Sequence, residues 1–303
     1  MKKKILLIGY SSLVKRKIIE TLVKNNIPYD VASRSKKQKD FNAENWYYGY
    51  EKALNNSNAD IAYISLPNSL HFYWAMKALQ KDYHTIIDKP ATINLEELNK
   101  LITISKKRKK ILSEAIFFNY HNQIKYISKQ IGINKITKLN ANFSIPKPSK
   151  GSILLSKKLK GGVIMDMGPY IAAVSRLFFK LKPKKIIKNV EFKNNLSSKI
   201  NIIFIYKNTY FIGEFSHNNE YKNFIEVYFK NKIIKLNRVF SPPSQKNLKV
   251  MEFKNKKIKT KIFSDNSCEN YLQEIFILIR KKKYNYFYKQ MTVDMKIREN
   301  LQF

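Results

Sequence analysis

Three short groups of residues in this 303-residue chain have side chains able to do chemistry. The first pairs Pro67-Asn68 and His71 with Asp88-Lys89-Pro90, an amide and an imidazole set against a carboxylate and an amine. The second is Gly9-Tyr10-Ser11-Ser12-Leu13, a glycine turn after an apolar run. The third is Asp166 and Tyr170, behind Gly161-Gly162. The single cysteine, Cys268, excludes an internal disulfide framework and a cysteine-based zinc site, and no metal is expected.

These groups need elements to position them. Ile61 to Leu66 reads as a buried strand of a parallel sheet, stopped by Pro67, with Asn68 or Ser69 capping the next helix. Phe72, Ala75, Met76 and Leu79 give that helix one apolar face. Thr85-Ile86-Ile87 is the returning strand. Ligands of such sheets sit at the carboxyl ends of the strands, which puts Leu66, Pro67, Asn68, His71, Asp88 and Lys89 beside one crevice. Ile5 to Ile8 forms another strand, and Val14, Ile18, Leu22 and Val23 mark the helix after the glycine turn. Strand, glycine turn and helix suit a pyrophosphate, which meets backbone N–H groups and the positive helix end. The G-x-G-x-x-G pattern is degenerate: Gly9 keeps the first position, Ser11 takes the second and Val14 the third. A valine there is expected to push the helix slightly off the sheet. Ser33-Arg34, with Lys36 and Lys37, stands where an NAD enzyme usually has an acidic residue, so a 2′-phosphate and hence NADP(H) is expected over NAD(H). The competing reading makes Arg34 one more surface cation.

Further along, Trp46, Tyr47, Tyr48 and Tyr50 read as packing aromatics under a loop. A helix is expected over 94–108 and strands over 111–115 and 135–145. Asp166 caps or begins a helix, and Gly168-Pro169 reads as the turn before Tyr170, Val174, Leu177 and Phe178 at helical spacing. Between 184 and 263, strand-like runs over 200–206, 209–216, 224–229, 232–236 and 249–262 imply an antiparallel sheet. Helices over 271–283 and the last ten or so residues close the chain.

The stretches SLPNSLHFYWAMKAL and TIIDKP together resemble the Gfo/Idh/MocA oxidoreductases, the glucose-fructose oxidoreductase and inositol dehydrogenase family. The usual Glu-Lys-Pro turn is shortened here to Asp88-Lys89-Pro90. LSEAIFFNYHNQIKYI matches the family's glutamate, aromatic and His-Pro segment in part, with Asn122 for the proline; His121 reads first as a helix cap or packing residue. LKGGVIMDMGPYIAAVSRLFF is similar to the family's Gly-Gly…Asp-x-Gly-x-His/Tyr motif, in its tyrosine form. The residue reading on its own also leaves Tyr170 as a core tyrosine at a glycine-rich helix start.

The resemblance implies an α/β architecture: an N-terminal Rossmann parallel sheet over 1–118, then a C-terminal α+β domain with an open, mostly antiparallel sheet over 119–303, for substrate and oligomerisation. It implies reversible hydride transfer between a nicotinamide and a sugar-like ketone or alcohol. Tyr170 would give the carbonyl oxygen its proton, Lys89 would stabilise the oxyanion or keep the tyrosine acidic, and Asp166 would bond a substrate hydroxyl or orient the lysine. Gly9, Ser11, Ser12, Leu13, Ser33, Arg34, Leu66, Pro67, Asn68 and His71 would hold the cofactor, with Lys89 beside it and Asp88 shaping the turn or touching the ribose. A nucleotide-linked keto-sugar is the favoured substrate. The alternatives are a dehydrogenase of a free sugar, cyclitol or dihydrodiol, and a catalytically weak cofactor-binding regulatory protein. Members pair through the second sheet, so a homo-oligomer (dimer or tetramer) is expected.

The charge balance, 58 Lys+Arg against 22 Asp+Glu for a net +36, raises nucleic acid or an anionic membrane as partners. The lysines are spread over the whole length without a basic arm or an RNA-binding signature, so both are set aside. Met1 to Lys4 and the short apolar run after them read as the lead into a first strand, not a signal peptide, and a cytoplasmic setting is expected.

Overall fold

A computed structural model describes residues 3–35, 40, 42–180, 182–244 and 246–302. It divides into two compact units, Met1–Ala115 with Tyr271–Thr292, and Ile116–Asn270 with Val293–Phe303. The sequence boundary at 118/119 lies close to the first break. The segment 271–292, expected in the second domain, belongs instead to the first unit. Its side chains find partners there: Tyr271 donates to Ser113 Oγ at 2.8 Å, the Tyr288 and Ser105 hydroxyls lie 2.7 Å apart, and Tyr284 stacks on His84.

In the first unit the elements run β1 (Ile5–Ile8), a π-wound turn (Val14–Ile18) continuing as α1 (Ile19–Lys24), β2 (Tyr29–Ser33), β3 (Asn45–Tyr48), α2 (Tyr50–Asn56), β4 (Ile61–Ile64), α3 (Asn68–Gln80), β5 (His84–Asp88), α4 (Leu95–Arg108) and β6 (Leu112–Ala115). The strands form one parallel sheet in the order β3-β2-β1-β4-β5-β6. Every residue of β1, β4 and β6 is buried, as in a sheet covered on both faces. The aromatics Trp46 to Tyr48 are not loop packing: they form edge strand β3, suited by the aromatic strand preference. Ahead of α4, Asn94 accepts from Glu97 N at 2.8 Å while Glu97 accepts from Ile93 N at 3.1 Å, a reciprocal cap. At the amino edge of the sheet the buried Asp30 carboxylate takes Lys4 Nζ at 2.9 Å, Asn45 Nδ2 at 2.9 Å and the Ser57 hydroxyl at 2.6 Å. A buried carboxylate is tolerated on those terms.

The second unit contains α5 (Asn122–Ile133), β7 (Ile136–Ser144), α6 (Val163–Phe179), β8 (Lys185–Lys193), β9 (Leu196–Tyr206), β10 (Thr209–Ser216), β11 (Lys222–Phe229), β12 (Ile233–Asn237), β13 (Leu248–Lys254) and β14 (Lys257–Phe263). Helices α7 (Ser267–Arg280) and α8 (Tyr288–Gln302) complete the chain. The sheet order is β14-β13-β12-β11-β7-β10-β9-β8, antiparallel except for the β7–β10 pair. Helix α6 packs on β9 and β10, and Leu139, Phe204, Phe211, Phe215, Ile171 and Val174 fill the core between. The run 249–262 is a hairpin, not one strand: Asn255 and Lys256 turn the chain at φ +48° and +61°. Edge strand β8 was not read from the sequence. Among the described residues no helix is long and apolar enough to cross a membrane, and no group of three or more His, Cys, Asp or Glu could hold a metal ion.

His84 opens β5 and accepts from Ile111 N at 3.0 Å through Nδ1. Burial, helped by Lys110 and Lys3, lowers its pKa from 6.5 to about 4. The folded protein therefore resists a proton that the unfolded chain accepts. The stabilisation is complete above about pH 6.5 and is lost as the pH falls to about 4, in total about 3 kcal/mol. Urea denaturation at about pH 7.5 and about pH 4.5 should show His84→Gln losing less stability than the wild type. Equal losses would remove His84 as the cause.

Candidate active site

The expected site residues of the first unit all lie at the carboxyl edge of the parallel sheet. β1 delivers Gly9 to Leu13, β2 Ser33 and Arg34, β4 Leu66 to Asn68, and β5 Asp88 and Lys89. Gly9 has φ +103°, and a Cβ there would stand 2.2 Å from Ser65 O. Only glycine fits a turn packed this closely against the next strand. Ser11 Oγ accepts from Val14 N at 3.1 Å, the bond of a helix-capping serine. Ser12 and Leu13 remain exposed at the start of the helix. Val14, in place of the third glycine, is buried, and the helix opens into the π-wound turn over Val14–Ile18. The valine's bulk is thus met by local widening. This turn fits a dinucleotide: close backbone approach at Gly9 and an open positive helix end at Ser12-Leu13.

Ser33 is buried, its Oγ accepting from Ser35 N at 3.1 Å. Arg34 is exposed and faces the Tyr50 phenol, whose pKa burial raises and Arg34 pulls back. Lys36 and Lys37 lie outside the described residues.

The turn carrying Lys89 is held by three buried or half-buried side chains. Both oxygens of Asp88 are taken, by the hydroxyls of Tyr63 and Ser65. Burial raises the Asp88 pKa, while Ser65, Tyr63, His71 and Lys89 pull it down. His71 Nδ1 lies 2.7 Å from Pro90 O and its Nε2 2.7 Å from Leu66 O. Carbonyls only accept, so the ring donates wherever it bonds. Glu114, at the end of β6, accepts from Ala91 N at 2.7 Å. The Lys89-Pro90 peptide is cis. His71 was expected to line the nicotinamide half. At 1% exposure it ties the β4 turn to the Lys89 turn instead. Asp88 takes the turn-shaping role of its two alternatives. Neither Asn68 nor Ser69 caps α3, because Pro67 occupies the cap position.

In the second unit α6 carries both remaining candidates. Gly168-Pro169 is no turn: the helix starts at Val163 and runs through both. Proline forfeits one intrahelical N–H bond, and a Cβ on Gly168 would meet the Arg298 stem at an ordinary contact distance, 3.7 Å from its Cγ. Gly161 and Gly162 serve close packing and not flexibility. A Cβ on Gly161 would lie 2.5 Å from Leu154 O, and one on Gly162 2.8 Å from Ser197 Oγ, which accepts from Ile164 N and so caps the helix. Asp166, in the first turn, accepts from His217 Nε2 at 2.8 Å. Tyr170 is half-buried among Phe118, Phe143 and Phe240, with ring centroids 5.8, 5.5 and 5.5 Å away. His121 caps α5, accepting from Gln123 N through Nδ1 at 3.3 Å.

Sequence reasoning missed Tyr63, Ser65 and His217. Ser65 is the one serine in an apolar strand and His217 one of four histidines, so rarity was the available signal.

A parallel sheet in this order, with a glycine turn after its first strand, defines a dinucleotide-binding domain. Residues 4–116 match the model of the Gfo/Idh/MocA oxidoreductase family, with an NAD-binding Rossmann fold. Among curated proteins, the dTDP-3,4-didehydro-2,6-dideoxy-alpha-D-glucose 3-reductase of Streptomyces violaceoruber is 30% identical over 150 residues, 47% of this chain and 44% of that protein. The D-xylose 1-dehydrogenase (NADP(+)) 2 of Haloferax volcanii is 28% identical over 135 residues, 44% and 42% of the two chains. The matches thus span less than half the length of these relatives. Among solved structures, KijD10, a 3-ketoreductase from Actinomadura kijaniata in complex with NADP and TDP-benzene, has TM-score 0.90 at 18% identity, covering 97% of this chain and 95% of that one. The aldose-aldose oxidoreductase of Caulobacter crescentus has TM-score 0.87 at 14% identity, with 100% and 97% covered. These likenesses concern the fold.

Gly9→Ala combines a strained φ with a collision, and urea denaturation should show a loss of about 2 kcal/mol or more. Gly49→Ala meets a similar φ, +99°, but no atom within 4 Å, and should lose only about 1 kcal/mol. Equal losses would mean that φ alone, and not the approach of Ser65, requires glycine.

Proposed function

We propose that this protein is an NADP(H)-dependent oxidoreductase that reduces a ketone of a nucleotide-linked sugar. The observation that carries the reading is the lysine turn: Lys89 stands at the carboxyl edge of a dinucleotide-binding sheet, on backbone held by Asp88, His71 and Glu114. Gly9, Ser11, Ser12 and Leu13 hold the pyrophosphate. Ser33 and Arg34 receive the adenosine ribose, with the guanidinium on its 2′-phosphate. Leu66, Pro67 and Asn68 line the nicotinamide half. The bound nicotinamide supplies the hydride. Tyr170 gives a proton to the carbonyl oxygen, and the Lys89 ammonium stabilises the negative charge developing there. Asp166, oriented by His217, accepts from a substrate hydroxyl. The 3-reductase and 3-ketoreductase likenesses support the nucleotide-sugar reading, and the D-xylose dehydrogenase supports a second one, oxidation of a free sugar.

The same reading includes a homo-oligomer and a cytoplasmic setting. On the open face of the second sheet Ile187, Ile203 and Ile212 stand in register across β8, β9 and β10, exposed at 44%, 36% and 40%. A second copy would cover that row. Ile203→Lys should convert the oligomer to monomer in sedimentation analysis. A wild-type monomer would sink this part.

NADPH should quench the protein's fluorescence at least about tenfold more tightly than NADH. Arg34→Ala should erase the difference, and equal or tighter NADH binding overturns the assignment. Turnover of a dTDP-linked keto-sugar should fall about 10²-fold or more in Tyr170→Phe and Lys89→Ala, with NADPH binding largely kept. Wild-type turnover in either variant removes that residue's role, and turnover of D-xylose alone selects the second reading.

A further inference from the structure

We propose that Ser65 is a positioning residue that ties the turn after β1 to the turn carrying Lys89 through a directed chain of hydroxyl hydrogen bonds. The inference rests on the dinucleotide reading of the first turn. It goes beyond it by assigning work to two residues, Ser65 and Tyr63, that touch neither ligand in that reading.

Ser65 follows β4 directly and is 3% exposed. The strand register Ile8–Ile64–Ile87 places it between the ends of β1 and β5. Its backbone N–H donates to Ile8 O at 2.9 Å, and its carbonyl oxygen occupies the space that a Gly9 side chain would need. Its Oγ donates to Asp88 Oδ2 and lies 2.8 Å from Ser11 Oγ.

With Asp88 ionised, counting protons gives the direction of the chain. A serine hydroxyl has one proton to give. Ser65 gives its proton to the Asp88 carboxylate, which only accepts when ionised. The proton between the two serines must then come from Ser11. Ser11 in turn accepts from Val14 N at 3.1 Å. The chain runs from Val14 N–H through Ser11 and Ser65 to Asp88, and Tyr63 donates to the other carboxylate oxygen. Each bond polarises the next, and a charged acceptor at the end strengthens the series.

Both ends of this chain are departures from the family pattern. Ser11 stands in the second glycine position, and a glycine has no hydroxyl with which to begin the chain. Asp88 stands in place of glutamate and has the shorter stem that meets Tyr63 and Ser65 from the adjacent strand. The two changes join through Ser65, so they act as one device. Its effect is that the turn proposed to receive the pyrophosphate and the turn that presents Lys89 hold one relative geometry.

The test is a double-mutant cycle of Ser11→Ala and Asp88→Asn, repeated with Ser65→Ala. It reads the NADPH dissociation constant, kcat at saturating NADPH with a dTDP-linked keto-sugar, and urea unfolding. Ser11→Ala should lower kcat although cofactor is saturating, because the Lys89 turn loosens. Ser11→Ala and Asp88→Asn together should cost less than the product of their separate effects, by about threefold or more. In the Ser65→Ala background Ser11→Ala should change kcat no further, while Ser65→Thr, which keeps the hydroxyl, should restore it. Effects that multiply independently in both kinetics and unfolding overturn the relay. The same holds if Ser65→Ala leaves kcat and the Ser11–Asp88 coupling as in wild type. A wild-type protein that binds neither dinucleotide sinks the functional reading alone. The relay then stands or falls on the unfolding cycle, where coupling supports it and additivity overturns it.

Discussion

The clamp on the turn after β5 is the constraint on which the rest of the first unit depends. Lys89 is flanked by groups that other elements fix: Asp88 by Tyr63 of β4 and by Ser65 just after it, Pro90 O by His71 from α3, and Ala91 N by Glu114 from β6. Three elements must agree on one register for this to happen. A slip of one residue between β4 and β5 would turn Ser65 to the other face of the sheet and leave the Asp88 carboxylate with an unmatched, half-buried charge. Continuous apolar strands alone tolerate such slips. The polar clamp does not, so it selects the register that places the lysine. This is how a functional group on a loop gains the precision of a strand.

Helix α6 answers the same problem in the second unit by different means. Its start is fixed by Ser197 beneath Gly162, its first turn by His217 on Asp166, and its far end by the two-pronged bond of Arg176 to Asp294 at 2.8 and 3.0 Å. The Asp166 carboxylate also sits at the positive end of the helix, where a negative charge is favoured. The buried polar groups thus fix the helix along its length while the core phenylalanines fix its distance from the sheet. In a chain so rich in lysine, two interior or near-interior cations are paired with carboxylates. Lys4 beside Asp30 and Arg176 beside Asp294 are buried or nearly so, while most lysines stay on the surface.

Much of this was legible in local pattern. The apolar strands, the glycine turn, the lysine turn and the second-domain hairpins between 200 and 237 announce themselves through residue type and spacing. What escaped depended on distant partners. Trp46 to Tyr48 reads as loop packing until β2 is there to pair with it. Gly168-Pro169 reads as a turn because the local rule says so, yet a helix capped from outside by Ser197 runs through both. Strand β8 is mostly exposed, and Lys188 breaks the apolar side of its alternation between Ile186 and Val190, so the period-2 signal is weak. The Asn255-Lys256 turn was missed for want of a glycine, although Asn tolerates a positive φ. In the candidate site the residues that carry a motif were readable, whereas Ser65, Tyr63 and His217 bond to other side chains and carry no motif of their own.

The surroundings of position 170 explain why a tyrosine suits it where the family more often has histidine. Phe118, Phe143 and Phe240 all pack on its ring, and Phe143 and Phe240 also stack on each other at 5.3 Å. A phenol meets such walls with an apolar body and needs a polar partner only at its tip. An imidazole carries nitrogen within the ring and so offers these aromatic walls less apolar surface than a phenol. The three phenylalanines come from distant parts of the chain, so the choice of residue at 170 is written into the second unit's core as much as into the motif that contains it. The tyrosine and its aromatic walls are thus one unit of specification.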